Sequence, residues 1–553
     1  MNLRGVGVSP GIGHGPAHVL SVSVPEPPEG MTYTGEAEQE KERAMTALTQ
    51  VAGELESRGH RAGGEAEEIL KAQALMAEDP GLVVRVRSLI DRGLAAPRAV
   101  YEAFLRYRDV LAGSGGYLGE RAADLDDVRD RVIAVLYGIP MPGLQGTPAE
   151  PYVLVARDLA PADTALLSRE QVAAFVTEEG GPTSHTAILA RALGVPAVVA
   201  CPGATGIRQG ARVLADGTSG EVRVEPVASE VADAARAHAD RRAAYARAEG
   251  PGRTADGHPV PLLANVGGPA ELDAALAAGA EGVGLYRSEF LFLGRSEPPG
   301  VAEQTRAYRA AAEAFPGGKV VVRTLDGGAD KALAFLPSPP EPNPALGERG
   351  LRAFRRFPGV MAAQLDALRA AGDVAVMAPM VATAEEAGWF VGECRSRGLA
   401  EAGVMIEIPS AALRAGDLLA SADFVSVGTN DLAQYAFAAD RRLGATRALQ
   451  DPWQPALLDL VAMTAAAARE AGKPCGICGE SAADPVMACV LAGLGATTLS
   501  MGAGALPAVR AALAAHTLDE CRLAADAARD ATTAAEARAA ARAYLPALAR
   551  LGM

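Results

Sequence analysis

The sequence predicts a multidomain α/β protein: a mixed α/β domain interrupted by a helical bundle, then a C-terminal (β/α)8 TIM barrel. Three observations carry that prediction. Strand-like runs at the N-terminus and between residues 152 and 224 flank a stretch of helical periodicity. A breaker cluster, Gly250-Pro251-Gly252, divides the chain. Beyond it, strand-then-helix units recur eight times over about 250 residues, the pattern of a closed parallel barrel.

At 553 residues the chain is long enough for several cores. Its net charge of −15 argues against non-specific nucleic-acid binding and suits a basic partner surface. The opening Met1-Asn2-Leu3-Arg4-Gly5 has no apolar core of signal-peptide length, and no run is apolar enough for direct membrane insertion, so a cytoplasmic protein is expected. The six cysteines are scattered except for Cys475 and Cys478, which fits reduced thiols better than a disulfide framework.

In chain order, Val6 to Ala17 reads as a strand, a turn and a second strand reaching Val22, with His14 a packing residue. From Gly35 to Tyr137 apolar residues recur at helical spacing, with breaks at Gly63-Gly64, Asp79-Pro80-Gly81 and Gly113 to Gly119. Strands are expected at Tyr152 to Ala156, Val172 to Thr177, Ala197 to Val199, Arg212 to Gly217 and Gly220 to Val224. Val231 to Glu249 is an Ala-, Arg- and Asp-rich helix. The expected domains are 1–22 with 146–226, a helical insert at 23–145, a linker at 227–252 and the barrel at 253–553. The tail from Leu518 reads as helix that covers the barrel base or extends a dimer contact.

One histidine stands out. In Gly180-Gly181-Pro182-Thr183-Ser184-His185-Thr186 a glycine-rich turn follows a strand, and Thr183 or Ser184 can cap a helix that ends at Gly194. His185 thus sits at a helix mouth, where free N–H groups favour an anion. A neutral imidazole there is a credible phosphoryl acceptor. A plain capped helix with an exposed histidine is the other reading of the same residues.

The barrel strands are expected at Pro261 to Val266, Gly282 to Arg287, Lys319 to Thr324, Val374 to Met380, Val404 to Ile408, Phe424 to Gly428, Pro474 to Gly479 and Thr497 to Met501. Such barrels carry their chemistry at the C-terminal strand ends. There the chain places Arg287, Arg323, Glu407, Asn430, Asp431 and Cys478, with Arg349 and Arg441 in nearby loops. Arginines hold phosphate and carboxylate in bidentate fashion, and hard oxygen donors such as Glu407 and Asp431 suit Mg2+. Arg–Glu pairs that merely close the barrel rim are the plainer alternative. Cys475-Gly476-Ile477-Cys478 could be a redox pair or half a zinc site, but no second Cys or His pair lies nearby, and Cys478 could instead act as an acid at a strand end.

The stretch around His185, with Leu193-Gly194-Val195-Pro196-Ala197-Val198-Val199 after it, resembles the phosphohistidine signature of enzymes that use phosphoenolpyruvate (PEP). Its Thr-Ser-His-Thr form is most similar to the enzyme I family of the bacterial sugar phosphotransferase system. Phe424 to Tyr435 (FVSVGTNDLAQY), Arg323 to Lys331 and Glu120 to Arg129 resemble further signatures of that family. The resemblance implies a swivelling phosphohistidine α/β domain and a helical insert that binds the phosphocarrier protein HPr. It implies a PEP-binding barrel through which the protein forms a homodimer. It implies that Mg2+-dependent transfer from PEP to His185 releases pyruvate, and that the phosphoryl group then passes to HPr for sugar uptake. On these positions Arg287, Arg323, Arg349, Asn430, Asp431 and Arg441 bind PEP, Glu407 and Asp431 bind Mg2+, and Cys478 donates a proton. Thr164 supports His185 and Lys331 supports the PEP loop. Four residues depart from the family's usual pattern: Gln73 for histidine, Ala160 for threonine, Gly327 for an aliphatic and Ala329 for glycine. Rival readings are a regulatory nitrogen-branch paralogue, a dikinase or PEP synthase lacking its ATP-grasp domain, a Mg2+-dependent 2-oxo acid C–C lyase and a dead-site regulator.

Overall fold

The computed structural model describes residues 2–20, 24–62, 64–114, 122–139, 141, 150–159, 167, 170–181, 184–328, 333, 335–337, 341–440, 444–551 and 553. The chain forms two units, Met1–His238 and Ala239–Met553.

The first unit is built on eight strands: β1 Asn2–Arg4, β2 Val6–Ser9, β3 Ile12–Leu20, β4 Tyr152–Ala156, β5 Val172–Thr177, β6 Ala197–Val199, β7 Arg212–Asp216 and β8 Glu221–Val224. They lie in the order β1-β8-β7-β3-β4-β5-β6-β2. The run β3 to β6 is parallel, and the flanking pairs are antiparallel. Alternation along β4 decides which core each side chain enters. Val153 and Val155 join one apolar cluster, while Tyr152, Leu154 and Ala156 join the other. The second cluster includes Ala187 and Ala190, so it holds the His185–Leu193 helix against the sheet. The strand β1 was not expected. It is three residues long and held by antiparallel pairing with β8, a partner invisible to local pattern.

Between β3 and β4 lie helices Ala37–Ala62, Gly64–Ala77, Pro80–Asp91, Ala96–Ser114 and Ala122–Tyr137, around a core of their own. Asp79 ends one and starts the next: its Oδ1 accepts from Leu82 N at 2.8 Å, with Pro80 following at the first helical position. The sequence reading missed the break at residues 92–95, where Ala95 N donates to Met31 O at 2.8 Å. The helix Ala228–Arg247 carries the boundary between the two units.

The second unit is a closed, all-parallel barrel: β9 Leu262–Val266, β10 Gly282–Arg287, β11 Lys319–Arg323, β12 Ala375–Ala378, β13 Ala402–Ile406, β14 Val425–Val427, β15 Cys475–Ile477 and β16 Thr498–Met501. β16 closes the ring by pairing with β9. Leu285, Val321, Ala375, Met377, Met405, Phe424 and Cys478 fill the interior, and the outward faces pack beneath the surrounding helices. The tail is three helices: Leu518–Arg529, Ala534–Ala543 and Ala547–Arg550. Capping boxes at Thr517 with Glu520 and at Thr533 with Glu536 start the first two. Cys521, Ala524 and Ala528 join the barrel's outer core beside Val486 to Ala492, so the tail belongs to the outer shell. Among the described residues no helix is long and apolar enough to cross a membrane.

Candidate active site

The first candidate element is the helix opening on His185. Ser184 is extended, and its Oγ accepts from Ala187 N at 3.3 Å, a side-chain N-cap. Gly180, at φ +93°, lets the chain turn close over Ser184; a Cβ there would lie 3.2 Å from Ser184 Oγ. Gly194 closes the helix in the left-handed conformation. Thr186 is buried, and its Oγ1 donates to Asp158 Oδ1 at 3.4 Å. The backbone thus sets His185 at the first helical position. Its side chain, and residues Thr164, Lys331 and Arg441, lie outside the described residues.

The second element is the C-terminal end of the barrel, where the structure brings Arg323, Arg349, Glu407, Asp431 and Cys478 together. Arg323 is the last residue of β11. It pairs with Glu289, lies 3.5 Å from Asp326 Oδ2 and contacts Met405 Sδ at 3.8 Å. Arg349 donates to Asp326 Oδ2 at 2.9 Å, to Asp431 Oδ1 at 3.3 Å and to the Tyr435 hydroxyl at 3.2 Å. Burial works against both guanidinium charges. The surrounding carboxylates outweigh it and hold both groups more firmly protonated than usual. Arg287 ends β10 opposite Arg323 in register and is half-buried.

Glu407 follows β13 and is 1 % exposed. Its Oε1 accepts from Met380 N at 2.6 Å. Met380 adopts φ +57°, uncommon for a residue with a side chain, and this turn brings its N–H to Glu407. Burial pushes the Glu407 carboxyl up to about 7, with Asp431 and Asp326 adding to the rise. Asp431 lies in the first turn of the Thr429–Ala436 helix, beside Asn430, whose Oδ1 accepts from Glu480 N at 3.1 Å and leaves Nδ2 for a ligand.

Cys478 stands one residue past β15. Burial pushes its thiol up to about 11, so it carries its proton at neutral pH. Cys475 belongs to the outer core, whereas Cys478 belongs to the barrel interior. Three residues apart on a strand, the two point to opposite faces of the wall, which removes the redox-pair and zinc readings of this Cys-x-x-Cys.

Among the described residues, the buried arginines Arg323 and Arg349 therefore meet four buried carboxylates, Glu289, Asp326, Glu407 and Asp431. Buried charges are costly unless each is paired or joins a metal. Among the described residues no three His, Cys, Asp or Glu form a closed metal cage. The donor set of Glu407 and Asp431 instead fits Mg2+, which takes one or two carboxylates and completes its shell with water and substrate oxygens. The sequence reading passed over Glu289 and Asp326. Their signal was spacing: Glu289 lies two residues past Arg287, and Asp326 three past Arg323.

Known proteins match the chain along nearly its whole length. The description "PEP-utilising enzyme, PEP-binding domain" matches residues 241–518, "PEP-utilising enzyme, mobile domain" matches 148–220 and "PEP-utilising enzyme, N-terminal" matches 4–121. The chain is 58% identical to a phosphoenolpyruvate-protein phosphotransferase of Streptomyces coelicolor, over 98% of this chain and 99% of that protein. A protein of the same name from Haloferax volcanii is 40% identical, covering 97% of this chain and 98% of its own. One from Bacillus subtilis is 38% identical, covering 91% and 92%. With its three matched regions and a barrel rim of arginines and carboxylates, the chain belongs to the PEP-utilising enzymes, in their phosphoenolpyruvate-protein phosphotransferase branch.

Proposed function

We propose that this protein takes the phosphoryl group of PEP onto His185, releases pyruvate and passes the group to a histidine of an HPr-type phosphocarrier protein in the cytoplasm. The observation that carries the reading is the barrel rim, where the buried arginines Arg323 and Arg349 meet the buried carboxylates Glu289, Asp326, Glu407 and Asp431. Phosphoryl transfer needs positioning and charge neutralisation more than covalent chemistry from the protein. Arg287, Arg323, Arg349 and Arg441 bind and orient the phosphate and carboxylate of PEP, with Asn430 Nδ2 as a further donor. Glu407 and Asp431 would hold Mg2+, whose chemistry there is to neutralise charge on the transferring phosphoryl oxygens. His185 attacks through a ring nitrogen, at the start of a helix whose free N–H groups suit the anion it acquires. Thr164 supports the imidazole, and Lys331 the PEP loop. Cys478, neutral at pH 7, gives its proton to the enolpyruvate carbon.

Two steps at two sites require that the domain carrying His185 visit both the barrel and the carrier protein. Domain limits of 1–22 with 146–226, 23–145, 227–252 and 253–553 fit that division of labour. The helical insert carries two exposed apolar side chains that a partner could cover, Leu75 and Val84, 63% and 66% exposed, on helices consecutive in the chain. A homodimer through the barrel completes the reading.

The test is intact-mass spectrometry at alkaline pH after mixing with PEP and Mg2+. One phosphoryl mass is expected on the wild type, with pyruvate released, and none on His185→Ala. PEP binding without any mass gain overturns the reading.

A further inference from the structure

Two polar side chains beside Cys478 have no part in the mechanism above. Asn265, on β9, donates from Nδ2 to the backbone carbonyl of Cys478 at 3.1 Å. Ser500, buried on β16, donates from Oγ to Asn265 Oδ1 at 2.5 Å. A carbonyl can only accept, so the amide nitrogen faces Cys478 and the amide oxygen faces the hydroxyl. The orientation of Asn265 is thereby set by its two neighbours. Gly284 on β10 leaves room for this pair, since a Cβ there would lie 2.5 Å from Ser500 Oγ.

Cys478 is held from the other side as well. Its N–H donates to Val427 O at 3.0 Å, and its thiol lies 3.6 Å from the same oxygen, so where the thiol points depends on how the backbone is held against β14. Beyond it, Thr429 Oγ1 and Ser481 Oγ meet at 2.8 Å, and Asn430 Oδ1 takes Glu480 N. The position needs such support because β15 ends at Ile477 and its pairing with β16 stops there. β14 therefore fixes the amide of Cys478. Asn265, reaching across β16, fixes the carbonyl.

We propose that Asn265, oriented by Ser500, is a positioning residue that aims the Cys478 thiol at one face of the enolate left when PEP gives up its phosphoryl group. The proposal rests on the reading of Cys478 as proton donor. In that step the P–O bond of PEP breaks as the P–N bond to His185 forms. C3 of the enolate then takes the S–H proton, giving pyruvate and a thiolate that water reprotonates. Without the hold on the Cys478 carbonyl the thiol loses its aim, and enolpyruvate is protonated from both faces. Misplacement of a reacting group by about 1 Å costs on the order of 100-fold in rate.

The experiment is the steric course of protonation. PEP carrying one deuterium in a defined position on C3 is turned over in tritiated water, and the chirality of the pyruvate methyl group is read. The wild type is expected to give one configuration. Asn265→Ala is expected to give a racemic methyl group and pyruvate formation slowed about 10- to 100-fold, while still adding one phosphoryl mass at His185. Asn265→Asp keeps a partner for Ser500 but cannot donate to Cys478, and should match the alanine variant. Ser500→Ala should lose part of the selectivity, and Ser500→Thr, which keeps the hydroxyl, should restore it. A single configuration from Asn265→Ala overturns the proposal. If Asn265→Ala fails to fold, Ser500→Ala decides alone. Cys478→Ala separates the two ideas: one configuration from that variant sinks the proton-donor reading itself. A racemic product from Cys478→Ala beside a single configuration from Asn265→Ala sinks only the role of Asn265.

Discussion

Two buried arginines, Arg131 in the helical insert and Arg323 in the barrel, show what a buried charge means in each place. Arg131 is 1% exposed and pairs through Nε with Asp127 Oδ2 at 2.9 Å, one turn earlier on its own helix. Arg323 pairs with Glu289 and Asp326 and feels Glu407 and Asp431 besides. The first includes a contact within one helix. The second draws on the ends of strands β10, β11 and β13 and on the helix after β14. A contact one turn away serves its own helix. Charges gathered from several strand ends at a barrel mouth are placed to meet a ligand.

The largest expected effect breaks the two apart. Arg323→Ala should lower PEP-dependent phosphorylation of His185 by about 1000-fold, because it removes a fixed positive charge from the place where phosphoryl charge develops. Arg131→Ala should destabilise the insert by about 3 kcal/mol through the carboxylate it strands, while pyruvate formation stays within about twofold of wild type. Rapid-quench phosphorylation and denaturant unfolding read the two quantities. Equal losses of activity would show that the contrast has no functional content.

Next comes the sign of Glu407. Burial, with Asp431 and Asp326 nearby, disfavours the charged form of Glu407, so Glu407→Gln should raise melting temperature without Mg2+ by an amount equivalent to about 1 kcal/mol. The same change should cost at least about 100-fold in turnover with Mg2+ present. A variant that loses both stability and turnover would mean that the carboxylate is a structural partner of the Met380 amide and little more.

The pH dependence follows from the same group. Its folded-state value, about 7, lies above the ordinary 4.5, so the folded protein holds this proton more tightly than the unfolded chain does. That contribution to the stability of the metal-free protein is complete below 4.5 and is lost as pH rises through 7. A metal must displace the proton, so Mg2+ should raise the melting temperature little at pH 6 and clearly at pH 8. Thermal unfolding with and without Mg2+ across that range checks it, and in Glu407→Gln the increment should become small and flat.

The same contrast explains what was legible beforehand. Seven of the eight barrel strands lie within the expected ranges and the fifth, Ala402–Ile406, starts two residues early, because each is a short apolar run followed by a polar strand end, a pattern carried by neighbouring residues. The helix at His185 was legible for the same reason: turn, cap, apolar face and Gly194 are contiguous. Cross-chain relations were not. β1 is three residues that pair with β8, and Asn265 acts on a carbonyl 213 residues away. The tail reads as helix without internal breaks marked, although Thr517 to Glu520 and Thr533 to Glu536 spell capping boxes, a local signal that divides it. Arg323 and Arg349 were expected at a phosphate site; Asp326 lies three residues past Arg323, but that Glu289 pairs with Arg323 required knowing which strand ends meet.

The smallest expected effect is also the most discriminating for the cysteines. Cys475 and Cys478 have nearly the same chemistry and both are buried, with thiols pushed up to about 12 and about 11. They differ in which side of the wall they face. Cys475→Ala trims one sulfur from the outer core and should cost about 1 kcal/mol, with turnover unchanged within about twofold. A redox pair or a shared metal would make the two variants equally harmful, since either partner alone abolishes such a unit. The geometry predicts the opposite, because the two side chains project into different cores. Steady-state pyruvate formation by the two variants, run under reducing conditions, gives the answer, and matched losses would return the Cys-x-x-Cys to consideration as a unit.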